Sequence, residues 1–415
     1  MQNKKREEEP ARFSANIFVA AALLSQLGLA LTRVAIITIA ATHFGATAAV
    51  TLWVAMNVGT VTSGFLIPFV VQPRIGFFAI FIVALGKIAL LLGSLFALTY
   101  VDFFPFLVAC QFSLSCLDGL LNPLKYFYLN RVAVDVKQRE IIINRLQSYE
   151  GAASTVAPAI VAVLSFFLEI WFCLYLDVIF LSVVAAYWAW QLRRHCPDIH
   201  RNRRSSPLGG FIQILQSPKL RRLTSARLLG PLMGTFWAAL IPTLLLEMIP
   251  TADYARYYGL CLAISASGMV FGSHIILQFM KSNASGKLIM LGIIAGIASC
   301  CAGIFMIMSL VELHVFYILL VCSLLGISTA AARTLVVSIG QRISPPESLH
   351  LIIAAGDSIS RVWAAVFSTL CGGFIGAYQI SQVPLAIAIG LITLVSIYGI
   401  FLIPDLNEPI QNYSS

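Results

Sequence analysis

Charged residues are scarce in this sequence. Only 11% of its 415 residues are Asp, Glu, Lys or Arg, against about 25% in soluble domains. Hydrophobic residues make up 59% and are spread along the whole length. A water-soluble core cannot accommodate so much apolar surface, so the composition excludes an ordinary soluble enzyme or DNA-binding protein. The chain is therefore predicted to cross a membrane many times.

Several functional motifs are also missing. The sequence has no Walker A motif for ATP, no H-E-x-x-H or G-x-S-x-G motif, and no T-V-G-Y-G selectivity filter. Its nine cysteines show no C-x-x-C or Cys/His spacing, which makes a metal site or a disulfide framework unexpected. We therefore predict no cofactor, no metal and no enzymatic activity.

The apolar residues fall into twelve runs, each long enough for a transmembrane helix of about 20 residues. The runs cover approximately residues 16–40, 47–71, 76–100, 104–128, 146–167, 170–192, 226–249, 256–279, 286–310, 313–336, 351–376 and 382–403. Residues 1–15 form a polar tail. No cleavable signal sequence is predicted, because the first run is long and leads directly into another.

The basic residues predict the orientation of these spans. Twenty of the 27 Lys and Arg lie in the tail and the loops on one side, and only Arg256 lies on the other. By the positive-inside rule both termini are cytoplasmic. This distribution explains the net charge of +9 without nucleic acid as a partner.

The longest polar segment, residues 193–225, divides the chain into bundles of six spans at 16–192 and 226–403, followed by a tail at 404–415. Its basic part is expected to lie against anionic lipid headgroups. A weak repeat at an offset of 208 residues places Gly64 on Gly272 and Lys125 on Arg333. Two parallel six-helix repeats are the architecture of the major facilitator superfamily, whose substrate sites lie near the membrane midplane.

Local motifs resemble the same superfamily. The eighth span resembles the Y-G-x-x-x-A-x-x-x-x-G-x-x-x-G pattern of drug and siderophore exporters, through Tyr258, Gly259, Ala263, Gly268 and Gly272. Small residues at this spacing let helices approach closely. Pro158, after Ala157, stands where exporters often carry Gly-Pro. The resemblance implies twelve helices in two pseudo-repeats, in a bacterial inner membrane.

Two further stretches carry the resemblance. Arg74 and Gly76 match part of the superfamily's G-x-x-x-D-R-x-G-R-R loop, but Pro73 replaces its Asp. The Pro123-Leu124-Lys125-Tyr126 stretch, followed by Asn144 and Glu150, resembles the P-x-K-Y…N-x-x-x-E segment of lysophospholipid flippases. Flipping of lysophospholipids therefore stays as an alternative to export.

Three charges within the first four spans are the main candidates for a substrate and proton path. Arg33 in span one suits an anion-binding group, or an ion pair that locks the two halves. Asp118 in span four suits a reversible proton site, or a fixed salt bridge to Arg33 or Lys87. Lys87 in span three is interpreted mainly as the structural partner of Asp118. Uncharged candidates for the same path are Gln26, Asn57 and Trp237, with helix packing as the alternative role of each.

A second set is predicted to form gating ion pairs at the cytoplasmic ends of the spans. Its members are Arg74, Lys125, Glu150, Arg333, Asp357 and Arg361. Static interfacial pairing is the alternative. Within the spans, five bases and three acids make up the principal candidates, and this positive surplus favours an anionic or zwitterionic solute.

These patterns predict a monomeric secondary transporter that exports a small drug-like or siderophore-like solute by alternating access, coupled to protons. Uptake by the same fold is a further alternative. A non-transporting membrane sensor and a lipid-modifying membrane enzyme represent different classes. The expected partners are the solute, protons and membrane lipids.

Overall fold

The structure is a computed structural model of the chain. It describes residues 2–70, 76–100, 104–132, 136–194, 209–218, 220–221, 224, 241–280, 301, 303–304, 314–343 and 349–377. Ten helices are delimited within these ranges. They are α1 Gln2–Phe44, α2 Ala46–Val70, α3 Gly76–Tyr100, α4 Phe104–Val132, α5 Val136–Leu164, α6 Phe172–Arg194, α7 Gly209–Gln216, α8 Thr251–Met280, α9 Val315–Ile343 and α10 Leu349–Ala377.

These helices coincide with most of the predicted spans. Helices α1 to α4 and α6 each contain a segment long and apolar enough to cross a membrane. Helices α5, α8, α9 and α10 lie at the predicted spans five, eight, ten and eleven. Spans seven and nine are described only in part, and span twelve lies outside the described residues. The chain is thus an all-helical membrane protein, and the number twelve stays a prediction.

The tightest connection in the described chain joins α1 to α2. Gly45 has a φ of 85°, a left-handed conformation that favours glycine after the last turn of a helix. Its N–H donates to the carbonyl of Ala41 at 3.0 Å, and its own carbonyl accepts from the N–H of Ala48 at 3.1 Å. The chain therefore reverses within one residue, and α1 and α2 run in opposite directions.

The first six helices form one bundle. Helix α1 packs against α5 and α6, α3 packs against α4 and α6, and α2 packs against α4. In the second half α8 packs against α9. In the described part of the chain the two halves meet mainly along two helix pairs, α2 with α10 and α5 with α8, with smaller contacts of α1 with α8 and of α4 with α10.

The largest apolar cluster joins the halves at the end of the molecule where α1 turns into α2. It includes Ile36 of α1 and Leu52 of α2 from the first half, and Tyr258 of α8 and Val321 of α9 from the second. A second cluster, at the opposite end of the first bundle, is formed by residues of that bundle alone, among them Leu124. The described apolar contact between the halves is thus concentrated at one end.

Helix α7, in the segment between the halves, is amphipathic. Ile214 and the nearby Leu220 pack against Ile352 and Ala355 of α10, and the ring of Phe211 stacks on Phe65 of α2 at 5.8 Å between centroids. The opposite face of the helix carries exposed apolar side chains, including Leu215. The linker therefore contacts one helix of each half.

Candidate functional site

Four ionisable side chains from four helices interact inside the first bundle. They are Arg33 of α1, Lys87 of α3, Asp118 of α4 and Asp177 of α6, and we call them the charge ring. Lys87 and Asp118 form an ion pair, with 2.5 Å between Nζ and Oδ1. Their side chains are only 1% and 8% exposed. This is the pairing that the sequence suggested as the structural alternative for both residues.

Asp177 belongs to the same ring. Its carboxylate is buried, and Oδ2 accepts a hydrogen bond from the hydroxyl of Thr32 at 2.5 Å. The carboxylate also lies against Gly28, where a Cβ atom would collide with it. It interacts electrostatically with both Lys87 and Asp118. Gly28 and Thr32 are four residues apart, so one face of α1 holds the Asp177 side chain.

Arg33 is the fourth member of the charge ring. It follows Thr32 in α1, and its guanidinium is attracted to the carboxylate of Asp118. The side chain as a whole is half-buried, whereas its Nε is buried and has no hydrogen-bond partner among the described groups. The signs of charge alternate from Arg33 to Asp118, Lys87 and Asp177. The ring therefore carries two positive and two negative charges when all four groups are ionised.

A balanced ring lowers the cost of charges at membrane depth. A single uncompensated charge at a helix centre costs roughly 2.5–3.5 kcal/mol or more, so such residues pair, face a cavity or reach the interface. Lys87 and Asp118 pair with each other. Arg33 combines pairing with partial exposure of its side chain.

One polar contact bridges the two halves. The guanidinium Nη1 of Arg361 in α10 donates to Oδ1 of Asn57 in α2 at 3.1 Å. The amide of Asn57 in turn donates to the carbonyl of Trp53 at 3.0 Å, which orients its oxygen toward α10. Sequence reasoning had assigned Asn57 to the substrate path and Arg361 to the gate. The structure brings them together, close to the crossing of Gly64 with Ser358.

The other contact between the halves contains two residues of the exporter-like motifs. A Cβ on Gly259 of α8 would lie 3.0 Å from the carbonyl oxygen of Pro158 and 3.0 Å from the backbone nitrogen of Ala162, both in α5. The neighbouring Tyr258 is buried. Gly259 and Pro158 therefore belong to one close helix crossing.

Glycines produce equally close crossings within each half. A Cβ on Gly59 of α2 would collide with the backbone of Phe112 in α4, and one on Gly268 of α8 with the backbone of Ser323 in α9. Gly272, one turn further along α8, is buried. The second and fourth helices of one half thus meet in the same manner as their counterparts in the other, in keeping with the internal repeat.

Three aromatic side chains lie where the halves meet. The rings of Tyr254 and Tyr258 stack at 5.7 Å between centroids. Both hydroxyls and the indole nitrogen of Trp53 are buried. The Tyr258 hydroxyl interacts with the indole of Trp53, whereas the Tyr254 hydroxyl has no hydrogen-bond partner among the described groups. Burying such polar atoms in a permanently dry interface costs folding free energy. The sequence alone did not identify these side chains as part of the contact between the halves.

The remaining predicted site residues are described only in part. Gln26 is half-buried in α1, and Lys125 is buried in α4. Arg74 and Trp237 lie outside the described residues, as do the side chains of Glu150, Arg333 and Asp357. The gating ion pairs therefore stay a prediction.

Comparison with known proteins supports the fold. No protein-family model and no curated protein matches the sequence. A crystal structure of a mutant of the nucleoside transporter NupG is similar, with a TM-score of 0.66 and 13% identity over 94% of this chain and all of that one. An auto-inhibited peptide transporter of the POT family is similar, with a TM-score of 0.70 and 9% identity over 97% of this chain and 98% of that one.

Both structures have the major facilitator fold, and the chain described here shares it. At these identities the likeness shows the fold alone. Both similar proteins are transporters. The fold and the apolar helices make it an integral membrane protein.

Proposed function

We propose that this protein is a proton-coupled secondary transporter of a small solute that carries an anionic group. The observation that carries the proposal is the charge ring. Its Lys87–Asp118 pair is buried at mid-length of two helices, and Arg33 beside it is partly exposed. Ionisable residues at membrane depth mark solute and proton pathways. The proposed location is a bacterial inner membrane, with both termini cytoplasmic and the protein monomeric.

Arg33 is the proposed anion-binding group. A guanidinium presents several N–H donors in a fixed plane that matches a carboxylate or a phosphate. In the structure this guanidinium is attracted to Asp118. An anionic solute therefore competes with Asp118 for Arg33, and a proton on Asp118 removes that competition.

The contacts between the halves are the proposed hinge surfaces. Close helix crossings without large side chains, such as those of Gly64 with Ser358 and Gly259 with Pro158, allow one bundle to rock against the other. The apolar cluster at one end of the molecule then corresponds to the closed side. With the predicted orientation, the closed side is the periplasmic one.

Export is the direction that the resemblance to drug and siderophore exporters favours. Export driven by an inward proton gradient requires that solute and proton exclude each other. In this reading Asp118 binds either the proton or a cationic part of an amphipathic or zwitterionic solute.

Uptake is a second candidate, and a specific observation favours it. With all four groups ionised the ring is neutral, and it is neutral again when Asp118 binds a proton and Arg33 binds an anion. Either event alone leaves a net charge in a region of low dielectric, which is unfavourable. Proton and anion are therefore expected to bind together, and an inward proton gradient then drives uptake.

The experiment compares bacterial cells that produce the wild-type protein with cells that produce the Asp118→Asn variant. Untargeted mass spectrometry of cell extracts and medium then identifies solutes whose distribution changes. Depletion from wild-type cells indicates export, enrichment indicates uptake, and an altered lysophospholipid fraction indicates flipping. Identical profiles for wild type, variant and empty vector, with both proteins folded in the membrane, would refute transport.

A further inference from the structure

The charge ring contains two carboxylates but only one close ion pair. Lys87 is paired with Asp118, while Asp177, on the adjacent helix α6, interacts with Lys87 electrostatically. Oδ2 of Asp177 accepts the hydrogen bond from Thr32, and Oδ1 is buried without a hydrogen-bond partner among the described groups. Asp177 thus has one carboxylate oxygen available to a second donor.

We propose that Lys87 exchanges partners, leaving Asp118 for Asp177 when Asp118 takes up a proton. This inference assigns Asp177 a role in proton coupling as a positioning residue that stabilises the lysine after the exchange. It rests on the proposed transport function for its biological consequence, but the exchange itself requires no solute.

The geometry supports the exchange in three ways. Helix α3 packs against both α4 and α6, and its lysine interacts with the carboxylates of both helices. A lysine side chain has a flexible four-carbon stem and a compact charge, so its ammonium moves by rotation about side-chain bonds. Thr32 and Gly28 hold Asp177 in place on α1, so the second acceptor is already positioned.

The alternative to exchange is an unpaired buried ammonium. Asp118 and Asp177 are the carboxylates described near Lys87. Once Asp118 is neutral, the ammonium therefore depends on Asp177, because an isolated charge in a protein interior is strongly disfavoured. Asp177 therefore makes protonation of Asp118 easier than it would otherwise be. The same event weakens the hold of Asp118 on Arg33 and makes the guanidinium available to an anion.

The neighbouring helices provide few other charges that interfere with this process. Helix α1 presents Arg33, and α2 has no ionisable residue between Ala46 and Val70. In α10, which also contacts α4, Arg361 is bonded to Asn57 of α2. Helix α6 contributes Asp177 itself. On α4 itself the buried Lys125 lies two turns beyond Asp118. The titration is therefore expected to depend on the four members of the ring and on Lys125.

The test measures the proton affinity of Asp118 directly, in purified protein reconstituted in lipid without any solute. Infrared difference spectra recorded across a pH series show the carbonyl stretch of a protonated carboxyl, and the band that Asp118→Asn abolishes belongs to Asp118. We expect Asp177→Asn to lower the proton affinity of Asp118 at least ~10-fold, and Asp177→Glu to restore it to within ~3-fold.

A double-mutant cycle separates exchange from a purely structural effect. In a Lys87→Met background there is no ammonium to stabilise, and only the direct repulsion between the two carboxylates is left. Adding Asp177→Asn there is expected to lower the proton affinity of Asp118 at least ~3-fold less than it does in the wild-type background. Thr32→Val keeps all four charges but removes one donor from Asp177, which is expected to raise the proton affinity of Asp118. This variant is the second test should Asp177→Asn fail to fold.

An unchanged titration of Asp118 in Asp177→Asn, or an equal decrease with and without Lys87, overturns the exchange. Either result leaves the proposed transport function standing. Conversely, a protein that moves no solute but shows the predicted titrations refutes transport and retains the exchange.

Discussion

Removal of Lys87 alone should be far more damaging than removal of the ion pair as a whole. Both side chains of the pair are almost fully buried. Lys87→Met keeps the length and volume of the side chain but strands the Asp118 carboxylate, and breaking a buried pair in this way typically costs roughly 3–5 kcal/mol. The folding equilibrium should therefore shift by about a hundredfold to a few thousandfold.

The double variant Lys87→Met/Asp118→Asn removes both charges and leaves Arg33 and Asp177, whose charges balance. Replacing both members of a buried pair is often close to neutral. We therefore expect the double variant to recover at least half of the lost stability. The single variant should also lose less stability at about pH 5 than at about pH 8, because a proton neutralises the stranded carboxylate at the lower pH.

The assay is unfolding of the purified protein in detergent, followed by the fraction that stays monodisperse after heating or addition of denaturant. Wild type, both single variants and the double variant form one cycle, and the coupling between the two sites is the quantity of interest. A double variant that is as unstable as Lys87→Met, at both pH values, would refute the reasoning that the charges compensate each other.

Two further predictions concern the contacts between helices. Gly59→Ala should sharply reduce the yield of folded protein, since its Cβ would collide with the backbone of α4, whereas Gly93→Ala, whose Cβ meets nothing within 4 Å, should match wild type in the same fluorescence-detected size-exclusion assay. Asn57→Leu removes the oxygen that accepts from Arg361. It should reduce solute movement at least ~10-fold with near-normal yield, while Thr62→Val, which loses only a bond within its own helix, should transport normally.

Composition and hydropathy predicted the membrane class and most of the helices, because a span of apolar residues is a local property of the sequence. The pairing of Lys87 with Asp118 could also be predicted from the sequence, because two opposite charges deep in neighbouring spans need partners. The close crossing at Gly259 followed from its small size. These features depend on residue type more than on three-dimensional arrangement.

Asp177 shows what hydropathy does not determine. It lies close to the start of predicted span six, residues 170–192, but it bonds to Thr32, 145 residues earlier in the chain. Its membership in the ring depends on the relative heights of α1 and α6, and apolar run lengths leave these heights open by several residues. With Asp177 included, the charge ring holds two positive and two negative charges. The proposal of an anionic solute therefore rests on the partial exposure of Arg33 and no longer on a surplus of positive charge.

The contact of Asn57 with Arg361, which joins the two halves, could not be predicted from hydropathy either. Each is a polar residue inside a predicted span. Because they are 304 residues apart, Asn57 was predicted to line the substrate path and Arg361 to take part in a gating ion pair. The crossing of α2 with α10, set by packing along the whole of both helices, brings them together. Helix packing between the halves follows from the fold, and the sequence repeat was too weak to give its register.

The most direct test of proton-coupled transport uses liposomes that contain the purified protein and a pH-sensitive dye. Fractions of a bacterial small-molecule extract are added outside, and proton movement is followed in wild type and in Asp118→Asn. We predict that at least one fraction rich in small anions changes the internal pH of wild-type liposomes, with no response in the variant. Responses that are equal in wild type, variant and protein-free liposomes for every fraction would contradict the account.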